Sequence, residues 1–250
     1  MIETMKRVLG VDAATVGSRK GWAVVAAVWD GRRLGPPSAP VFVERLGELL
    51  AEPGLVAVGI DIPIGLAVRG WRGADLAGRR ALGRRSSTLF PVAPRPAVEE
   101  ADYDRAKHLA EELTGKRVSR QSHGLRKRIL ELDVLLREWP EGPTWYEVHP
   151  ELSFAALAGE VLAEPKSTWA GLERRRALLA RAGMLPAPGA DTGLAADDVL
   201  DAAAALWSAG RALAGTARRF VRCPEDCPSC GGGRCPTHDP ELGRQLAIHA

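Results

Sequence analysis

Five carboxylates in this chain stand where buried chemistry would use them. Asp12 closes the apolar run VLGVD and Asp61 closes VAVGID. Glu147 sits in TWYEVHP, and Asp198 and Asp201 stand three apart in AADDVLDAAAALW. A carboxylate at the end of a buried strand is costly unless it is paired or bound to a metal. Several in one chain point to a shared site, and hard oxygen donors point to Mg²⁺ or Mn²⁺. Asp198 and Asp201 lie about 60° apart around a helix axis, so they share a face. Asp197 also neighbours Asp201 at the i,i+4 spacing, which leaves the pair open between 197/201 and 198/201. Two negative side chains that close repel unless a cation sits between them.

Each acid has a purely structural alternative. Asp12 can cap the turn ATVG that follows it. Asp61 can bond backbone groups before Pro63, and Glu147 can pair with an arginine. Asp197 or Asp198 can be the favoured negative charge at a helix N-terminus. The recurrence of acids at the ends of successive apolar runs is what favours a joint site.

Other groups suit an anionic substrate. Arg84, Arg85, Ser86 and Ser87 form an RRSS segment, with Arg95 shortly after. Guanidinium groups beside hydroxyls suit phosphate. Lys127 and Lys166 are further phosphate-facing candidates, the alternative being solvated helix faces. His149 lies two residues from Glu147 and shares its face if the strand holds, where it can move a proton. It is equally a satisfied structural histidine. The seven tryptophans can stack on bases, although Trp22 and Trp207 read as core.

All four cysteines fall in one stretch, Cys223, Cys227, Cys230 and Cys235, with His238 three residues on. In an intracellular chain this spacing, with Pro and Gly between, points to structural Zn²⁺. Two local disulfides, an iron–sulfur cluster and free thiols are the alternatives. The segment is expected to brace the tail or offer a partner surface rather than to catalyse.

The 250 residues, 46% hydrophobic, fit one large domain or one with an inserted subdomain. No apolar run reaches the roughly 18 residues of a membrane span, and the N-terminus lacks a signal-peptide pattern, so a cytoplasmic protein without a membrane partner is expected. A net charge of +3 does not by itself argue for nucleic acid.

These residues need elements to position them. Strands are expected over 6–13, 21–29, 41–44, LVAVGIDIP and TWYEVHP, the first two as a hairpin. Residues 44–54 read as a helix ending in Pro-Gly. Asp12 and Asp61 are expected to end central parallel strands, where functional groups collect in open α/β sheets. Residues 70–142 read as a helical insertion that opens on Gly/Arg-rich turns and a proline-rich link, followed by two helical segments, 99–115 and 118–139. Further helices are expected over 151–159, 168–182 and 194–215. The organisation is then a core of 1–69 and 143–218, the insertion 70–142, a Cys-rich segment 219–240 and a tail 241–250. The expected class is α/β, a mixed five-stranded sheet with three antiparallel strands, then parallel strands 4 and 5, and flanking helices.

The motifs GVD (10–12) with GW (21–22), IDIPIGL (60–66), LGRRSSTLFP (82–91) with Arg95, EVHPELSF (147–154) and DDVLDA (197–202) resemble those of domain-of-unknown-function family 429. Weaker matches are Ser119 to Gln121, Ile129 to Asp133, and Lys166 with Gly171 and Arg174. The family is described as predicted nucleases of a ribonuclease H-like fold, and the β-β-β-α-β order with acids on strands 1 and 4 and the last helix resembles that fold. The resemblance implies metal-dependent phosphodiester hydrolysis of nucleic acid by two ions. Asp12 would bridge both ions, Asp61 and Asp201 would each hold one, and Asp198 or Glu147 would complete a shell. The DxxD pair resembles that of junction resolvases. Two other readings stand beside it. One is a non-catalytic nucleic-acid- or protein-binding module. The other is a sugar-kinase or actin-type ATPase, whose phosphate loop GVDAATVGSRKGW faintly resembles, although such enzymes need two copies of the fold. Fold alone does not decide among them.

Overall fold

The structure is a computed structural model and describes residues 5–189, 191–221, 238–242 and 244–250. It divides into two compact units. The first comprises the chain up to Ile62, Glu141–Arg218 and His249–Ala250; the second comprises Pro63–Pro140 and Arg219–Ile248.

The first unit is built on a mixed sheet. Strands β1 (Arg7–Val16) and β2 (Arg19–Val28) form an antiparallel hairpin with Asp12 opposite Ala23. β3 (Val41–Val43) adds antiparallel to β2. β4 (Leu55–Ile60) runs parallel to β1 on its other side. β5 (Thr144–Val148) runs parallel to β4. Near-continuous apolar runs in β1 and β4 are what central strands covered on both faces require.

Among the described residues the sheet has seven strands rather than the expected five. Its order is β3-β2-β1-β4-β5-β9-β6, where β6 is Arg219–Phe220 and β9 is Ile248–His249. Two-residue strands carry no period-2 signal, so the sequence pattern could not reveal them. Asp12 also differs from expectation. It does not end its strand: β1 continues to Val16 along β2, while the pairing with β4 stops at Val11 and Ile60.

Three helices of the first unit, α6 (Pro150–Ala158), α7 (Trp169–Arg181) and α8 (Ala196–Leu213), pack with the sheet around Val8, Val25, Phe154, Leu179 and Leu206. The expected helix over 44–54 is a single 3₁₀ stretch, Leu46–Ala51.

The second unit is mostly helical. It holds α1 (Gly73–Leu82), a 3₁₀ stretch Gly83–Thr88, α2 (Arg95–Glu99), α3 (Tyr103–Thr114), α4 (Arg120–Gly124) and α5 (Arg126–Glu138), with the short pair β7 (His238–Asp239) and β8 (Arg244–Gln245). The Gly/Arg-rich turns are in fact α1. Its buried positions are Gly73, Ala74, Asp75, Gly78 and Leu82, so it offers almost no large apolar residue for a helical period to register. The second expected helix breaks at Leu125 into α4 and α5. Among the described residues, no helix is long and apolar enough to cross a membrane.

Candidate functional site

Two glycines bring the last helix onto the sheet. A Cβ on Gly10 would stand 2.1 Å from the Ala202 carbonyl oxygen of α8, and one on Gly59 would stand 2.3 Å from that of Ala205. Real Cβ atoms do not approach that closely, so α8 sits where it does only because β1 and β4 each present a bare backbone there. The facing residues of α8 are small as well: Ala202, Ala203, Ala204, Ala205 and Ala209 are all buried. Side chains alternate along a strand. Asp12 and Asp61 therefore lie two residues beyond Gly10 and Gly59 on the face that α8 covers.

The register holds the two acids side by side. Val11 pairs with Ile60, and the Asp61 N–H donates to the Val11 carbonyl at 3.0 Å. The pairing of β1 with β4 ends there, while β1 continues along β2. Asp12 is buried and its Oδ1 accepts from the Ala13 N–H at 2.8 Å. Asp201, next to the Ala202 that rests on Gly10, is buried as well.

Lys166 enters this group from the loop before α7. Its Nζ donates to Asp201 Oδ2 at 2.6 Å and stands 3.4 Å from Asp197 Oδ2. Lys166 thus contacts Asp197 and Asp201 together.

The electrostatics are those of crowded negative charge. Burial first, then Asp61 and Asp201, hold the Asp12 carboxyl well above the usual carboxylate range. Burial and Asp201 push Asp61 up to about 8, with Lys166 acting in the opposite sense. Burial raises Asp201 to about 6 against the pull of Lys166. On Lys166 burial disfavours the charge, but Asp201, Asp12 and Asp197 together hold the ammonium above its usual range.

Glu147 is buried on β5 opposite Ile60, one residue short of the level of Asp61, and its charge raises Asp61. Asp198 lies in the first turn of α8, where it raises Asp12. His149 is the N-cap residue of α6; its carbonyl accepts from the Leu152 and Ser153 N–H groups at 2.9 and 3.1 Å. Within the first unit, Asp12 thus feels the charges of Asp61, Asp198, Asp201 and Lys166, and Asp61 those of Glu147, Asp201 and Lys166.

The remaining candidates belong to the second unit. Arg84, Arg85, Ser86 and Ser87 form its 3₁₀ stretch, with Arg84 and Ser87 exposed and the Ser86 carbonyl accepting from Arg79 Nη1 at 2.7 Å. Lys127 is exposed on α5. Arg95 is buried and engaged by acids of its own unit: Asp133 at 2.9 and 3.0 Å, Asp239 at 2.8 Å and Glu241 at 3.1 Å. Cys223, Cys227, Cys230 and Cys235 lie outside the described residues, as does the side chain of His238.

Sequence reasoning missed a buried pair. Arg175 Nη2 donates to Glu151 Oε1 at 2.7 Å, and Arg175 Nη1 donates to the carbonyls of Gly171 at 2.9 Å and Glu164 at 3.1 Å. A signal existed. Gly171, Arg175, Leu178 and Leu179 follow helical spacing along the buried side of α7, which singles Arg175 out from its exposed neighbours.

The donors suit a hard divalent cation. They are oxygen-only carboxylates whose mutual repulsion a cation would relieve. Among the described residues, no three His, Cys, Asp or Glu side chains converge on one ion position. Two carboxylates with water completing the shell is nevertheless the customary manner of Mg²⁺, and the adjacent Asp12 and Asp61 supply that pair.

Neither the curated proteins nor the solved structures contain a significant match to the chain. A family model does match it, over residues 10–226, and that span includes every acid of the site. The chain therefore belongs to the family described as "protein of unknown function (DUF429)".

Proposed function

We propose that the chain hydrolyses phosphodiester bonds of nucleic acid with a divalent cation, on a ribonuclease H-like arrangement of sheet and closing helix. The observation that carries this reading is the placement of Asp201. Gly10 and Gly59 let α8 lie directly on β1 and β4, and Asp201 thereby joins Asp12 and Asp61 where the two strands part. Acids drawn from two parallel strands and a helix, with Asp12 destabilised by the charges of Asp61 and Asp201 and Asp61 by that of Asp201, form a site whose natural complement is a cation.

Asp12 and Asp61 would hold Mg²⁺ or Mn²⁺. Once bound, such an ion lowers the pKa of a coordinated water and steadies charge on phosphoryl oxygens. The chain's own residues do the rest. Asp201 and Lys166 form an ion pair at the edge of the group, and Lys166 supplies a positive charge to an incoming phosphate. Burial and Asp201 hold the Asp61 carboxyl at about 8, so a bound cation would favour its charged form. Arg95 is not used, because its donors already face acids of the second unit.

The test is incubation with Mn²⁺ and single-stranded, duplex, hybrid and branched nucleic acids, with Asp12→Asn and Asp201→Asn alongside. Cleavage by the wild-type chain and not by folded variants is expected. A folded wild-type chain that binds these nucleic acids without cutting any of them would replace the hydrolase with a binding module.

A further inference from the structure

The loop that carries Lys166 is held with unusual care for a surface segment. Arg175 is fully buried, and one of its nitrogens reaches the Glu164 carbonyl at 3.1 Å, two residues before Lys166. Its other terminal nitrogen is fixed by Glu151 at 2.7 Å, and Glu151 is itself buried in the first turn of α6. On the far side of Lys166, the Pro165 carbonyl accepts from both the N–H and the hydroxyl of Thr168, at 3.0 and 2.8 Å. The backbone of α7 closes onto the same carbonyl, since a Cβ on Gly171 would stand 2.0 Å from it. These contacts bracket Lys166 at residues 164, 165 and 168. They set its backbone, from which the ammonium reaches Asp201 and Asp197.

In the two-ion arrangement that the family resemblance implies, Asp201 holds one of the ions. One of its oxygens, Oδ2, already carries the Lys166 ammonium at 2.6 Å. A fixed ammonium on a carboxylate provides the positive charge that a metal would otherwise bring to the developing charge of a phosphoryl group.

We propose that Lys166 fills the second cation position of this acid cluster, so that the site takes one divalent ion, at Asp12 and Asp61, rather than two. The inference rests on the phosphodiesterase reading and alters its ion count: the two-ion arrangement implied by the family resemblance gives way to one ion and one lysine. Glu151 and Arg175 become positioning residues that act through the 164–168 loop.

The experiment counts Mn²⁺ bound per full-length chain, by loss of the free-ion electron paramagnetic resonance signal, for wild type, Lys166→Met, Lys166→Arg and Asp12→Asn. Circular dichroism melts confirm that each variant is folded. Ions lost in Asp12→Asn are those of the site, which removes any ion held elsewhere in the chain from the count. One site ion is expected in the wild type and in Lys166→Arg, and two in Lys166→Met. Two site ions in the wild type, or one in a folded Lys166→Met, would overturn the inference. If the wild type holds two ions and still cleaves nucleic acid in an Asp12-dependent way, only the role of Lys166 falls. If it holds none and cleaves nothing, the phosphodiesterase reading falls with it.

Discussion

Gly10 lies against Ala202 so closely that a single added Cβ would meet the Ala202 carbonyl at 2.1 Å. Backbone rather than a flexible side chain stands in the way, so α8 would have to lift off the sheet. Gly10→Ala is therefore expected to lose roughly 1–3 kcal/mol or more of stability, as overpacked cores do. Gly47→Ala is the control. Nothing lies within 4 Å of the Cβ it would add, and its effect should stay within about 1 kcal/mol. Urea unfolding of both variants measures the difference. Equal midpoints would mean that the glycine contact does not hold α8 in place.

The parallel strands and their acids were legible because they break a rule. An apolar run that ends in Asp, twice, is hard to account for without a site, and the chain placed both acids on adjacent strands at one level. Asp201 was legible through helical spacing. The extent of β1 was not: a strand can leave one neighbour and continue along another, and Asp12 marks that point without a change in residue type. Helix α1 was hidden because its buried face is Gly, Ala and Asp. The Glu151–Arg175 pair joins positions 24 apart in sequence, and no local pattern encodes such a partnership. Arg95 read as a phosphate ligand by its type, and only the fold shows four acids already around it.

The acid cluster gives the chain an unusual pH dependence. Asp61 titrates at about 8 and Asp201 at about 6 in the folded state, both above the value of about 4 for an unfolded aspartate. Between about pH 4 and 8 the folded chain thus binds more protons than the unfolded one, and stability falls as pH rises. The melting temperature without divalent ion should decline from pH 5 to 8, and Asp61→Asn should flatten the decline. Millimolar Mg²⁺ should raise the melting temperature more at pH 8 than at pH 5, because a cation replaces the protons. A melting temperature that climbs through this window would contradict the crowding of the three acids.

Glu151 and Arg175 are both buried, so removing either leaves the other charged without its partner. Arg175→Met and Glu151→Gln should each cost about 3–5 kcal/mol. The double variant should cost clearly less than the sum, with a coupling of roughly 0.5–3 kcal/mol. Denaturant unfolding of the four proteins closes the cycle. Strict additivity would show that the 2.7 Å contact contributes nothing specific.

Arg95 supports a different prediction, because its guanidinium is a junction in the second unit. It makes two parallel bonds to Asp133, at 2.9 and 3.0 Å, and a third to Asp239 at 2.8 Å. Asp239 in turn accepts from the Leu66 N–H at 2.7 Å and, through its other oxygen, from the Glu241 N–H at 2.8 Å. A lysine cannot reproduce the planar fork that spans two carboxylates. Arg95→Lys should therefore free Asp239, and the amides of Leu66 and Glu241 should exchange with deuterium at least about tenfold faster, the equivalent of about 1.4 kcal/mol of local stability. The Leu206 amide, in the core of the first unit, serves as the internal reference. Unchanged protection at Leu66 beside an unchanged Leu206 would mean that Asp239 holds the Leu66 turn without Arg95, and the network would reduce to the Arg95–Asp133 pair.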